Sequence, residues 1–184
     1  MNNNGVHDAG EPKLSGLKLR INGGNVEHNK HDTSISITGL EAYNNYYIEL
    51  DKNSFDNVAW QIKKPTMNVS IEPNHYKLIQ VAFAVMGEVS GTVYLKNDKG
   101  ENGLGRIIVN IYDSNSNLVA HTLSEPDGYF TFAGLQPGNY TAAVDTAQLS
   151  KLNMTSSPLL SFTIKLSNDG DIADGLQFKL QNNK

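Results

Sequence analysis

Apolar and polar residues alternate with a period of two along most of this chain, the spacing that lines one face of a β-strand. No long stripe at helical spacing competes with it. In the first half, LSGLKLRI, TSISIT, YYIEL, MNVSIE and KLIQVAFAV read as strands. Runs rich in Asn, Gly, Asp and Pro separate them and favour turns. Val69 and Ile71, and then Leu78 with its neighbours, point to a shared core. Pro65 and Pro73 cannot donate to a ladder, so neither belongs inside a central strand.

The second half is more regular. EVSGTVYLK sets Val89, Gly91, Val93 and Leu95 on one face, and RIIVNIYD sets Ile107, Val109 and Ile111 opposite Asn110 and Tyr112. LVAHTL, YFTF, YTAAVD, LSFTIKL and GLQFKL bring the predicted strands to seven. Turn signals at NDKGENG, DSNSN, EPDG and QPGN recur at the spacing of an all-β sandwich. Only TAQLSKL, after Asp145, offers a turn of helix. The expected fold is all-β with two β-sandwich domains. A flexible lead-in covers residues 1–13, an N-terminal β-domain 14–86 and a second β-sandwich 87–184. The boundary falls near Met86–Gly87, where one strand pattern ends and a fresh one begins.

The stretch DGYFTFAGLQPGNY, Asp127 to Tyr140, reads as a corner. Asp127–Gly128 is a hairpin-type turn dipeptide, because glycine tolerates positive φ. Phe130 and Phe132 face one way, Tyr129 and Thr131 the other. Gly134 lets the chain leave the strand, and Pro137–Gly138 turns it. Tyr140 then begins an inward set with Ala142 and Val144. A buried tyrosine needs a partner for its hydroxyl, and a backbone carbonyl at the corner would serve.

The pattern Asp-Gly-x-Phe-x-Phe-x-x-Leu-x-Pro-Gly-x-Tyr, preceded by VSGTVYLKNDKGENGLGRIIVNIYDSNSNLVAHTLSE, resembles the carboxypeptidase regulatory-like domains. It is also similar to the Cna B-type and Sdr B-type modules of bacterial surface proteins. The resemblance spans about Glu88 to Leu180. It implies a seven-stranded transthyretin-like, or prealbumin-like, Greek-key sandwich that serves as stalk, spacer or interaction module. In the first half, Gly39-Leu40, Tyr43, Asn45, Ile48 and Asp51, with an apolar strand after Pro73, are similar to the C-terminal segment of fimbrial outer-membrane ushers. That implies a water-exposed piece of a larger envelope protein.

Composition narrows the function classes. The formal net charge is -4, with 18% charged residues and no basic run, so there is no footprint for nucleic acid or an anionic membrane. Without cysteine there is no disulfide, thiolate nucleophile or Cys-ligated zinc. No segment approaches the roughly 18 apolar residues of a membrane helix. MNNNGVHDAGEPK lacks the basic and apolar regions of an export signal.

Candidate chemistry is sparse. G-x-S-x-G, P-loop and dinucleotide patterns are absent, so no catalytic residue is assigned. The Cna B-type resemblance implies an internal Lys–Asn isopeptide bond beside a buried acid. Lys96 with Asn168 or Asn182 would be the pair, but the acid's place is taken by Val144, and Asp145 lies on the opposite face. Calcium would need six to eight oxygens, and Asp169, Asp171 and Asp174 in SNDGDIADG are the candidate ligands, against an ordinary turn. His28 and His31 lie in a stretch that reads as a solvated loop. Tyr46, Tyr47 and Trp60 are candidates for a sugar-binding platform, although aromatics at strand positions more often fill cores.

The expected function is a non-catalytic structural or protein-interaction module of a larger bacterial cell-envelope or surface protein, usher-like or adhesion-related. The alternatives are a carbohydrate-binding accessory module and an accessory domain of a hydrolase whose catalytic part lies elsewhere. The expected partners are other protein domains, with a glycan as a further candidate. The expected location is extracellular or outer-membrane-associated.

Overall fold

The computed structural model describes residues 16–183 apart from 30, 56 and 99. The lead-in expected over residues 1–13 lies outside these. The chain divides into two compact units, one ending at Ala84 and one beginning at Val85.

The first unit holds β1 (Leu19–Ile21), β2 (Asn25–His28), β3 (Ile35–Thr38), β4 (Asn45–Leu50), β5 (Trp60–Ile62), β6 (Thr66–Ser70) and all but the last residue of β7 (Phe83–Val85). β4 is the centre of an antiparallel sheet, flanked by β1 and β6. Its alternation is strict: Tyr46, Ile48 and Leu50 are buried, while Asn45, Tyr47 and Glu49 are exposed. The two-stranded ribbons β2–β3 and β5–β7 supply Ile37, Ile62 and Phe83 to the cluster built on Ile48, Leu50 and Val69.

Two expectations in this unit need correction. KLIQVAFAV forms a strand only at Phe83–Val85; residues 77–82 join no ladder among the described residues, and Ala82 only accepts the Lys63 N–H. Leu78 is 70% exposed, and Val81 and Phe83 take the core positions instead. His28, expected in a loop, instead ends β2, where it pairs with Ile35 beside the Glu27–Ser36 pair.

The second unit holds β8 (Gly87–Asn97), β9 (Gly100–Gly103), β10 (Ile108–Asp113), β11 (Leu118–Leu123), β12 (Tyr129–Leu135), β13 (Gly138–Val144), α1 (Thr146–Leu152), β14 (Met154–Ser156), β15 (Leu160–Ile164) and β16 (Ile172–Asn182). All seven predicted strands are present, joined by the short β9 and β14. One sheet runs β11-β10-β13-β15 and the other β12-β8-β16-β14, with β9 beside β8. Their inner faces make a sandwich: Val93, Phe130, Phe178 and Leu180 meet Ile107, Val109, Ala142 and Val144. Phe130 and Phe178 lie 6.0 Å apart. Burial of each of these side chains larger than Ala142 contributes roughly 1.5–3 kcal/mol.

β8 and β16 are parallel neighbours inside their sheet, in register from Glu88 opposite Ile172 to Leu95 opposite Leu180. Gly91 permits the close approach, since a Cβ there would lie 2.2 Å from the Leu176 carbonyl oxygen. The register shifts between Ala173 and Leu176, where Gly175 has φ +81° and absorbs the bulge.

The turn at Pro126–Asp127–Gly128 links β11 to β12, which belong to different sheets. It therefore carries the chain across the sandwich rather than closing a hairpin ladder. Gly128, at φ +87°, donates its N–H to Glu125 and offers its carbonyl to Val93.

Candidate interaction surfaces

The corner after β12 is held by side chain and backbone together. Tyr140 stacks on Phe162 at 5.6 Å, and its hydroxyl donates to the Gln136 carbonyl at 2.7 Å. Burial raises the Tyr140 pKa, and the nearby Asp113 carboxylate adds to the shift. Asp113 itself is held below the usual carboxylate range by hydrogen bonds from the Asn117 side chain and backbone, with Asn115 adding a further one.

α1 is anchored by Asp145, its N-cap. The carboxylate accepts the Gln148 N–H at 2.8 Å and the Asn110 side-chain amide at 3.0 Å. These two donors, the Gln148 N–H first, lower the Asp145 pKa. Gln148 then ties the helix to the sheet by accepting from Ile108 N–H and donating to the Arg106 carbonyl. Asn153 ends the helix in the left-handed conformation. These polar side chains have structural work, and none projects as a reactive group.

The candidate sugar platform is dispersed. Tyr46 is 7% exposed, and its hydroxyl both accepts from Glu41 N–H and donates to the Glu41 carbonyl. Tyr47 follows it in β4 and so points to the opposite face, 47% exposed. Trp60 is half-buried with its ring edge-on to Phe55 at 5.7 Å. The most open tyrosines are Tyr43 and Tyr76, at 84% and 88%. Tyr76 carries no signal in the sequence, because it sits in an irregular segment without strand periodicity.

The acidic candidates are not gathered either. Asp171 accepts the Lys165 N–H at 2.6 Å and closes the loop before β16, while Asp169 and Asp174 are exposed. Among the described residues, no group of three or more His, Asp or Glu side chains converges as a metal would require. His31 donates its backbone N–H to Asn29 in a local turn. Lys96 is exposed and Val144 is buried, an arrangement without the buried lysine and acid of an isopeptide centre. No helix among the described residues is long and apolar enough to cross a membrane.

What remains is surface and edge. An open groove of about 250 Å3 runs over the outer side of β13 and β15, lined by Ser114, Asn139, Thr141, Ser161 and Thr163 beside the rims of Tyr140 and Phe162. Thr163 donates to Asn139 across it at 2.8 Å. No charged side chain lines it. β15 pairs with β13 on one side and ends the sheet on the other.

Solved structures similar to this chain include the minor pilin GBS52 of Streptococcus agalactiae, at 12% identity and a TM-score of 0.42, covering 83% of this chain and 66% of that one. The major pilin subunit BcpA of Bacillus cereus is similar at 12% identity and a TM-score of 0.40, covering 81% and 42%. Serine-aspartate repeat-containing protein F of Staphylococcus epidermidis is 25% identical over 167 residues, covering 79% of this chain. The chain spans only 10% of that relative's length. Residues 95–171, within the second unit, match the family model of the SdrD B-like domain.

Proposed function

We propose that this chain is a non-catalytic structural module of a larger protein displayed on a bacterial cell surface, with the second unit acting as a Cna B-type spacer. One observation carries the reading: β8 and β16, where the second unit begins and ends, lie side by side and parallel. The chain therefore enters the sandwich at one end and leaves at the other. Each strand has 11 residues, so entry and exit are separated by about 35 Å at 3.3 Å per residue. Tension between the two ends slides β8 along β16, loading their shared backbone hydrogen bonds together instead of peeling them one at a time. That geometry suits a spacer in a tethered surface protein.

The SdrD B-like match and the repeat-protein relative support a surface location with other domains of a larger protein as partners. Neither supports the usher-like, carboxypeptidase-like or outer-membrane readings. The glycan reading keeps Tyr47 alone of its three rings on an open face. An accessory role beside a hydrolase would give the second unit the same spacing duty.

The test is to pull the full chain from its two ends in a force spectrometer. The second unit should rupture in one step, and Phe178→Ala, which loosens β16, should lower the rupture force. Gradual unravelling at low force, with no dependence on Phe178, would reject the spacer role.

A further inference from the structure

We propose that β15 is a self-complementary edge on which a second copy of this chain adds its own β15 antiparallel. An edge strand offers a row of backbone donors and acceptors to any chain that matches it, and proteins commonly blunt edges with charge, proline, bulges or cover. The other edges of the second unit are blunted: β9, beside β8, has four residues and carries the charged Glu101. β14 has three residues and packs against α1. β12 and β11 close on each other, with the Thr122 hydroxyl donating to the Thr131 carbonyl. β11 also carries a register shift against β10. β15 is covered only at its C-terminal end, where Ile164 packs toward Gly87 and the Lys165 N–H is taken by Asp171; its sequence is Leu-Ser-Phe-Thr-Ile, its register against β13 is unbroken, and no charge or proline lies within it.

The chemistry of the strand points to a second copy as the occupant. In an antiparallel pair centred on Phe162, Ser161 of one copy stands opposite Thr163 of the other, twice. Such Ser–Thr cross-strand pairs hydrogen-bond on one face. Leu160 stands opposite Ile164 on the other face, and both belong to the apolar side of the strand. Lys165 falls opposite the exposed Leu159 rather than another lysine, so its stem covers an apolar side chain and no like charges meet. The neutral groove of Ser114, Asn139 and Thr141 flanks the Ser–Thr rows and repels nothing. A two-fold interface requires such self-matching. The pairing stands apart from the spacer role, because a strictly monomeric chain would remove the first and leave the second intact.

Two measurements on the full chain test it. Sedimentation velocity from low micromolar to millimolar concentration should show a dimer growing with concentration. Ser161→Lys, which places two charges beside the paired edge, should weaken it about tenfold or more. The chain has no cysteine, so mixing Ser161→Cys with Thr163→Cys and oxidising gently should yield chiefly the mixed disulfide, since opposed Cα atoms in an antiparallel pair lie within disulfide reach. A chain that stays monomeric at millimolar concentration overturns the proposal. So does a dimer that Ser161→Lys leaves unchanged, or one whose disulfides join like to like.

Discussion

The Tyr140 hydroxyl donates to the Gln136 carbonyl at 2.7 Å, reaching back across the Pro137–Gly138 turn. The bond fixes the angle at which β13 returns after β12 leaves the other sheet. Tyr140→Phe keeps the stacking on Phe162 and deletes only this bond. Chemical denaturation should show a loss of roughly 0.5–1.5 kcal/mol.

The same residue sets an alkaline limit. Burial, assisted by Asp113, raises the folded Tyr140 pKa above its ordinary 10.0. Its contribution to stability is therefore complete below pH 10 and is lost as pH rises toward the folded value. A melting series extending above pH 10 should show this decline in the native chain. In Tyr140→Phe, the part due to Tyr140 should be missing.

Gly91 is needed for space rather than for backbone freedom. A methyl group there would meet the Leu176 carbonyl oxygen at 2.2 Å and the Phe130 ring at 2.7 Å. The contact atoms belong to backbone and to a buried ring, and neither can swing aside. Gly91→Ala should destabilise by about 1–3 kcal/mol or more, read from the urea midpoint.

Asp145 offers an acidic counterpart. Its folded pKa lies below the ordinary 3.8 because the Gln148 N–H and the Asn110 amide donate to the carboxylate. The stability it adds is present above pH 3.8 and is lost as pH falls through the folded value. Asp145→Ala should cost about 1 kcal/mol near neutrality, and the gap should narrow below pH 3.8. Asp145→Asn, which can still cap, should lose less at neutral pH.

Phe178 is fully buried between the sheets against Phe130. Phe178→Ala should cost roughly 3–5 kcal/mol in equilibrium unfolding. The exposed Tyr129→Ala, on β12 of the same sheet, should cost much less.

The second unit was legible because its strands obey one rule. Val89, Val93, Val109, Ile111, Phe130 and Phe178 all fall on the period-two face and are all buried. The corner was legible as well, down to a backbone carbonyl for the Tyr140 hydroxyl. The first unit was less so. KLIQVAFAV has the composition of a strand, but a strand also needs a ladder to join, and no residue pattern announces that the ladder begins only at Phe83. β2 was hidden for the converse reason: its four residues are all exposed, so only pairing with β3 defines it. The surface candidates failed on direction. Tyr46 and Tyr47 are adjacent in sequence, and adjacency in a strand places them on opposite faces. The groove over β13 and β15 is made of Ser, Thr and Asn, residues that sequence reading assigns to any solvated strand.

The parallel contact of β8 with β16 also governs when the fold can form. Glu88 stands opposite Ile172, nearly the whole length of the second unit away along the chain. Until β16 exists, β8 has only β12 and β9 beside it, and Phe178 and Leu180 are missing from the core. The core of the second unit is therefore incomplete on a nascent chain until β16 has left the ribosome. Contacts this distant in sequence slow folding, so refolding of the second unit should be slow for its size and closed by the arrival of β16.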